Sequence, residues 1–262
     1  MKKIKLLLCL FMLTTLCGCS NSNKNESSKT LNAAMFWIST SLDPTNNYDG
    51  WVLSRIGVGE TLLKLNEKYE VEPYLAKSYE QIDDTTWKLT LKDSITFSNG
   101  KKVTGENVKS CLERAFEKNT RAIDYFDLNH VEAKGQDIYL YLNKSSGAIL
   151  NNLCEPLFTI YDASQSEVDI AKHPLCTVPL VVDDFVSEKT IDTSKNKKYY
   201  DGKAKLDHVH FSQVADSDAR VLALQSGEVD LANTIDYSSL KLFRNNKDYQ
   251  VLEVLGPRTN VI

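Results

Sequence analysis

Apolar and polar positions form blocks along this chain, and the period within each block predicts a different kind of segment. The first block, Leu6 to Leu16, is mostly apolar and follows Lys2, Lys3 and Lys5. It is too short to span a bilayer comfortably and has a positive flank, which predicts an export signal over residues 1–19 rather than a membrane helix. Residues 20–30 then read SNSNKNESSKT, with almost no apolar side chain. Such a stretch cannot bury enough surface to offset its ordering entropy, so it is predicted to be a disordered tether. From Leu31 the pattern becomes that of a folded body, long enough for two modest domains.

Within that body, Trp87, Leu89 and Leu91 alternate with Lys88, Thr90 and Lys92, the period of a half-buried strand. Ser98-Asn99-Gly100 predicts a turn. Val108, Cys111, Leu112, Ala115 and Phe116 recur at helical spacing, with Thr104 placed to cap the first turn. His130 to Ala133 and Gln136 to Leu142 predict two strands joined at Lys134-Gly135, with Ile138, Leu140 and Leu142 on one face. His208 to Val214 predicts another strand. Asp216 or Ser217 then caps a helix through Ala219, Leu222 and Ala223, Gly227 ends it, and Val229 to Ala232 forms a short strand. Asp83-Asp84 and Asp183-Asp184 read as solvated turns. The mixture predicts an α/β or α+β body with a mixed sheet and no internal repeat.

Charge changes this picture little. The formal net charge is −4 with both signs interspersed, which excludes a nucleic-acid patch. Of the six cysteines, Cys9, Cys17 and Cys19 fall in the export segment. Cys111, Cys154 and Cys176 remain, without CxxC spacing, and the sequence selects no disulfide pair. His208 and His210 share a strand face but lack a third ligand at a recognisable spacing, which favours a surface strand over a metal site. No GxSxG, GxxxxGK(S/T) or HExxH motif is present, so the expectation is that the chain is not an enzyme. Where the apolar run stops, Leu16-Cys17-Gly18-Cys19 resembles a bacterial lipobox. That likeness implies lipidation of Cys19 and a position outside the cytoplasm, anchored to the outer face of the cell membrane.

Several ordered stretches of the body resemble one family. They are Ser41-Leu42-Asp43-Pro44, Gly59-Glu60-Thr61-Leu62, Glu72-Pro73-Tyr74-Leu75-Ala76-Lys77-Ser78 and Phe97-Ser98-Asn99-Gly100. Asn196 to Lys203 and Ala223-Leu224-Gln225-Ser226-Gly227-Glu228-Val229-Asp230 complete the set. In this order and spacing they are similar to the family 5 extracellular solute-binding proteins, which serve ABC importers of peptides and nickel complexes. The resemblance implies a class II periplasmic-binding-protein architecture, with a small N-terminal domain over 45–174 and part of lobe one over 31–44 and 175–262. It also implies that the chain is a partial one. Members of the family are about twice as long, and Gly256 to Ile262 reads as the start of a strand. The implied partners are permease subunits with their ATPases and a small peptide or nickel chelate as solute, with no resident cofactor. The alternative is a non-transport surface lipoprotein or an inactive gene product.

Phe97-Ser98-Asn99-Gly100 and Asn119-Thr120-Arg121-Ala122 resemble the nickel-type branch. There an arginine at the position of Arg121 pairs with the carboxylates of the metal's chelator. Read without the resemblance, Arg121 is a solvated cation at a helix end. Tyr48 and Trp51, with Trp37, are either cleft-lining or core aromatics, and Thr177 is a further candidate for ligand binding. Two positions depart from the family. Glu155 stands where part of the branch has a second arginine. Cys176-Thr177-Val178-Pro179-Leu180 replaces Gly-Thr-Gly-Pro-Tyr, an exchange that is costly wherever a lost glycine held a positive φ.

Overall fold

The computed structural model describes residues 28–253, whose strands pair into sheets of five, four and two members. Cys19, the export signal, most of the tether and the Gly256 to Ile262 stretch lie outside the described residues. The chain enters through β1 (Thr30–Met35), helix α1 (Gly50–Arg55) and the pair β2 (Leu63–Leu65) and β3 (Val71–Pro73). Strands β4 (Ala76–Gln81) and β5 (Thr86–Leu91) lead to helices α2 (Gly105–Lys118) and α3 (Ala122–Tyr125). Next come β6 (Leu128–Lys134), β7 (Asp137–Leu142), α4 (Ile149–Asn152), a 3-10 turn over Pro156–Phe158 and α5 (Glu167–Lys172). The last elements used below are β8 (Leu180–Val186), β9 (Thr190–Lys195), β10 (His208–Gln213), α6 (Ser217–Ser226) and β11 (Leu231–Ala232).

Strands β4, β5, β7 and β6 lie in that order, all antiparallel. The expected alternation holds in β7, where Ile138, Leu140 and Leu142 are buried, and helix α2 packs against β6 and β7. Thr104 caps α2 as expected, its hydroxyl accepting from the amide of Asn107, and the Asn107 side chain reciprocates to the Thr104 backbone. The five-stranded sheet has the order β11, β1, β10, β9, β8. Here β1 runs parallel to both neighbours, while β9 is antiparallel to β10 and β8. Asp216 rather than Ser217 caps α6, and Gly227 ends it at φ 76°, a left-handed conformation that glycine adopts without a Cβ clash.

The sequence reading is corrected at three places. Asp183 and Asp184 lie in β8, not in a turn. The register with β9 shifts between Val182 and Asp184, which leaves both carboxylates exposed while the strand continues. The last predicted strand shrinks to Leu231–Ala232, because only Ala33 and Ala34 of β1 are opposite it. The strand predicted from His208 ends at Gln213, before Val214. One apolar core runs through both large sheets, from Ala33 and Met35 through Leu89 and Leu140 to Ile191 and Val209. The three cysteines in the described residues are free thiols. Cys111 and Cys176 are buried in that core, as small hydrophobes.

Candidate ligand-binding surface

The loop leaving β1 is fixed before it reaches any exposed functional residue. Asp43 receives a two-pronged contact from Arg114 of α2, with Nη1 to Oδ1 at 2.8 Å and Nη2 to Oδ2 at 2.6 Å. Thr45 and Tyr161 also accept hydrogen bonds from the same guanidinium, at 2.7 and 3.0 Å. Burial pushes the Asp43 carboxyl up, but the hydrogen bonds from Arg114 and Thr45 outweigh it and hold the group below the usual aspartate range. Asn119, buried at the end of α2, donates through Nδ2 to the carbonyls of Thr45 and Asn47 and accepts from the Arg121 amide through Oδ1. One amide side chain thus ties the 45–47 loop to the residue that follows the helix.

On this base four of the sequence candidates and neighbours come together. The Arg121 guanidinium lies 3.7 Å from the centroid of the Tyr48 ring. It also donates to the Asn47 carbonyl at 3.0 Å and to the Tyr125 hydroxyl at 2.8 Å. Burial, followed by the nearby Glu155 carboxylate, pushes the Tyr125 phenol up to about 12, so it remains a neutral donor. Trp51 reaches the same carboxylate, its Nε1 donating to Glu155 Oε1 at 2.9 Å. Arg121 with Tyr125 and Trp51 with Glu155 therefore form two neighbouring polar pairs. Tyr48 is 54% exposed and Trp51 37%, so neither is a core aromatic. Trp37 is partly buried and packs against the core. The Arg55 guanidinium sits between Trp37 and Trp51, 5.9 and 5.6 Å from their rings.

Helix α1 carries Trp51 and rests on the 3-10 turn that follows Glu155. The approach is close at Gly50, where a Cβ would stand 2.4 Å from the Pro156 carbonyl oxygen. Beside this contact opens a cleft of about 310 Å³, bordered by Trp51, Ser54, Lys64, Tyr74, Cys154 and Glu155. It meets the aromatic surface along Trp51 and Glu155.

Thr177 is not part of that surface. It is fully buried, and its hydroxyl donates to Glu60, which is itself 1% exposed. Tyr199 and Tyr200 donate to the same carboxyl at 3.2 and 3.3 Å. Burial raises the Glu60 carboxyl above its ordinary range despite these three donors. Pieces of three separate motifs thus meet at one buried acid, a convergence that no local pattern announces. The Phe97-Ser98-Asn99-Gly100 turn is likewise a structural tie: Ser98 donates its amide to the Cys176 carbonyl at 2.9 Å, and Asn99 bonds Asp162 at 3.0 Å. Neither Cys176 nor Val178 has a positive φ, so replacing the family's glycines there brings no left-handed strain. His210 lies 2.6 Å from Asp192 across the strand pair, and no cluster of metal-ligating side chains occurs among the described residues.

Residues 70–262 match the model of the bacterial extracellular solute-binding proteins, family 5 Middle. The chain belongs to this family. Among the family 5 relatives, it is 32% identical over 247 residues to the nickel-binding protein NikA of Staphylococcus aureus, covering 94% of this chain and 49% of that protein. It is 27% identical over 201 residues to the glutathione-binding protein GsiB of Escherichia coli, covering 73% of this chain and 39% of that one. The crystal structure of Staphylococcus aureus NikA with Ni(L-His)2 superposes with a TM-score of 0.79 at 32% identity, over 84% of this chain and 46% of that one. The peptide-bound DppA of Helicobacter pylori superposes with a TM-score of 0.70 at 21% identity, which shows the shared family 5 fold. The chain spans about half the length, or less, of the curated relatives it matches.

Sequence reasoning reached Tyr48, Trp51 and Arg121 through the resemblance, and noticed Glu155 only as a departure. It missed Tyr125 and the bridging role of Asn119. The signal for Asn119 was its place between a helical pattern and an arginine, where a short amide side chain bonds local backbone readily.

Proposed function

We propose that this chain supplies one wall of the solute cleft in an extracytoplasmic binding protein of an ABC importer, and that the favoured solute is a nickel chelate. The observation that carries this reading is the half-exposed guanidinium of Arg121 stacked on Tyr48 and braced by Tyr125. A guanidinium has five N–H donors, and the two bonds it makes here leave others for a chelator carboxylate, which the planar fork matches two-pronged. Tyr48 and Trp51 add exposed aromatic faces beside it. The 32% identity to a nickel-binding protein supports the metal, while the glutathione-binding relatives support a short peptide as the second reading.

In this reading residues 45–174 form the small N-terminal domain, and 31–44 with 175–262 contribute to lobe one. Thr177 acts from behind the cleft by holding Glu60. A facing lobe closes on the solute by hinge motion, and the closed form docks on a permease driven by its ATPases. A lipid on Cys19 and the tether after it keep the body within reach of that permease.

Deletion of the gene is expected to lower the accumulation of radioactive nickel by cells supplied with nickel and histidine, and a plasmid copy to restore it. Unchanged uptake of both nickel and short peptides in the deletion strain contradicts the transport reading.

A further inference from the structure

Arg121 and Glu155 are the two charged neighbours of the Tyr125 phenol. Arg121 donates to the Tyr125 hydroxyl at 2.8 Å, and Trp51 donates to Glu155 Oε1 at 2.9 Å. A guanidinium and a carboxylate thus lie near one phenol, on a surface whose aromatic members, Tyr48 and Trp51, remain partly open to solvent. The carboxylate also borders the cleft of about 310 Å³ beside α1, as does Lys64. That lysine lies 5.2 Å from the Tyr74 ring and 3.9 Å from Glu72.

We infer that Glu155 makes this surface selective for solutes that pair a carboxylate with an N–H donor or ammonium, and that it rejects polycarboxylate chelates. The inference rests on the solute-binding reading given above and deepens it. Arg121 takes the solute's carboxylate, and Glu155 takes an amine, imidazole or ammonium hydrogen on its other side. The local charge of the pair sums to zero, so a solute bearing three or four carboxylates brings an uncompensated anion against Glu155. Like-charge juxtaposition of this kind works against binding and suppresses the wrong solute. The two carboxylate-plus-amine sources are a nickel complex of an amino acid and a zwitterionic short peptide, which share the chemistry that the pair recognises.

The test is a calorimetric titration of the intact gene product with three probes: nickel–histidine, a neutral tripeptide and nickel–citrate. The expected result is that the histidine complex or the tripeptide binds on the order of tenfold or more tighter than the citrate complex. Glu155→Gln, which keeps an acceptor for Trp51, should narrow that ratio by roughly tenfold. Glu155→Arg should reverse it, with thermal melts verifying that both variants are folded. A preference for the citrate complex in the parent protein, or a ratio that a folded Glu155→Gln leaves unchanged, overturns the inference and leaves the solute-binding reading standing. Absence of binding by all three probes overturns that reading and this one together. Which of the histidine complex and the tripeptide binds more tightly separates the two sources.

Discussion

Two aspartates six residues apart show how much a side chain's surroundings decide. Asp43 has a full guanidinium opposite it and is held ionised, whereas Asp49 is also buried but has only the Asn46 amide at 2.6 Å. Burial raises the Asp49 carboxyl to about 6, the Asn46 hydrogen bond opposes the rise, and the nearby Asp43 charge adds to it. A carboxyl raised in the folded state favours folding while it is protonated. Its contribution is complete below its unfolded value near 3.8 and is lost as pH rises through about 6. Asp49→Asn is therefore expected to raise stability by roughly 1–3 kcal/mol at neutral pH and to do nothing below the unfolded value. Urea melts at the two pH values check this, and an equal effect at both would contradict it. None of this was legible in the sequence, where both residues simply flank a proline and a turn.

Among the elements, β5, β7, α2 and α6 were legible because their signals are local: alternation, helical spacing, a capping hydroxyl, a terminal glycine. The hairpin of β8 and β9 was not, since Thr190 to Lys195 is largely polar and alternates too weakly to stand out. Short α1 was also silent, and yet it carries Trp51. Its seat explains its shape: Gly50 allows the helix to touch the Pro156 carbonyl, and any Cβ there forces the two apart. Gly50→Ala is expected to cost roughly 1–3 kcal/mol by overpacking and to pull Trp51 off Glu155, a change visible in tryptophan fluorescence. Gly227→Ala meets open space and pays only for its left-handed φ, roughly 1 kcal/mol, with the fluorescence unchanged. Similar fluorescence shifts in both variants would show that the Gly50 contact does not position the indole.

At the scale of the whole molecule, the buried Glu60 connects what the two large sheets leave separate. Its donors come from the crossing segment at Thr177 and from Tyr199 and Tyr200 between β9 and β10. Thr177→Val removes one donor at nearly constant volume and leaves a buried acceptor short of a partner. The expected loss is roughly 1–3 kcal/mol, with hydrogen-exchange protection falling in both sheets together. Protection lost in one sheet alone would show that Glu60 does not couple them. Sequence motifs named each of these residues, but their meeting depends on tertiary closure across more than a hundred positions, which no window of the chain can display.

The same long closures set a timetable for the chain's birth. The start of β1 is held to the start of β10 by contacts such as that from the Lys29 amide to Asp207, 178 residues later. At a ribosome's pace of about 5–20 residues per second, the first strand waits roughly ten to forty seconds for its main partner to exist. During that interval Ala33, Ala34 and Met35, all deeply buried at the end, have no sheet to enter. A nascent chain keeps this sheet open while it is being made. Under the extracytoplasmic role proposed above, which calls for threading through a membrane before folding, that delay is an advantage.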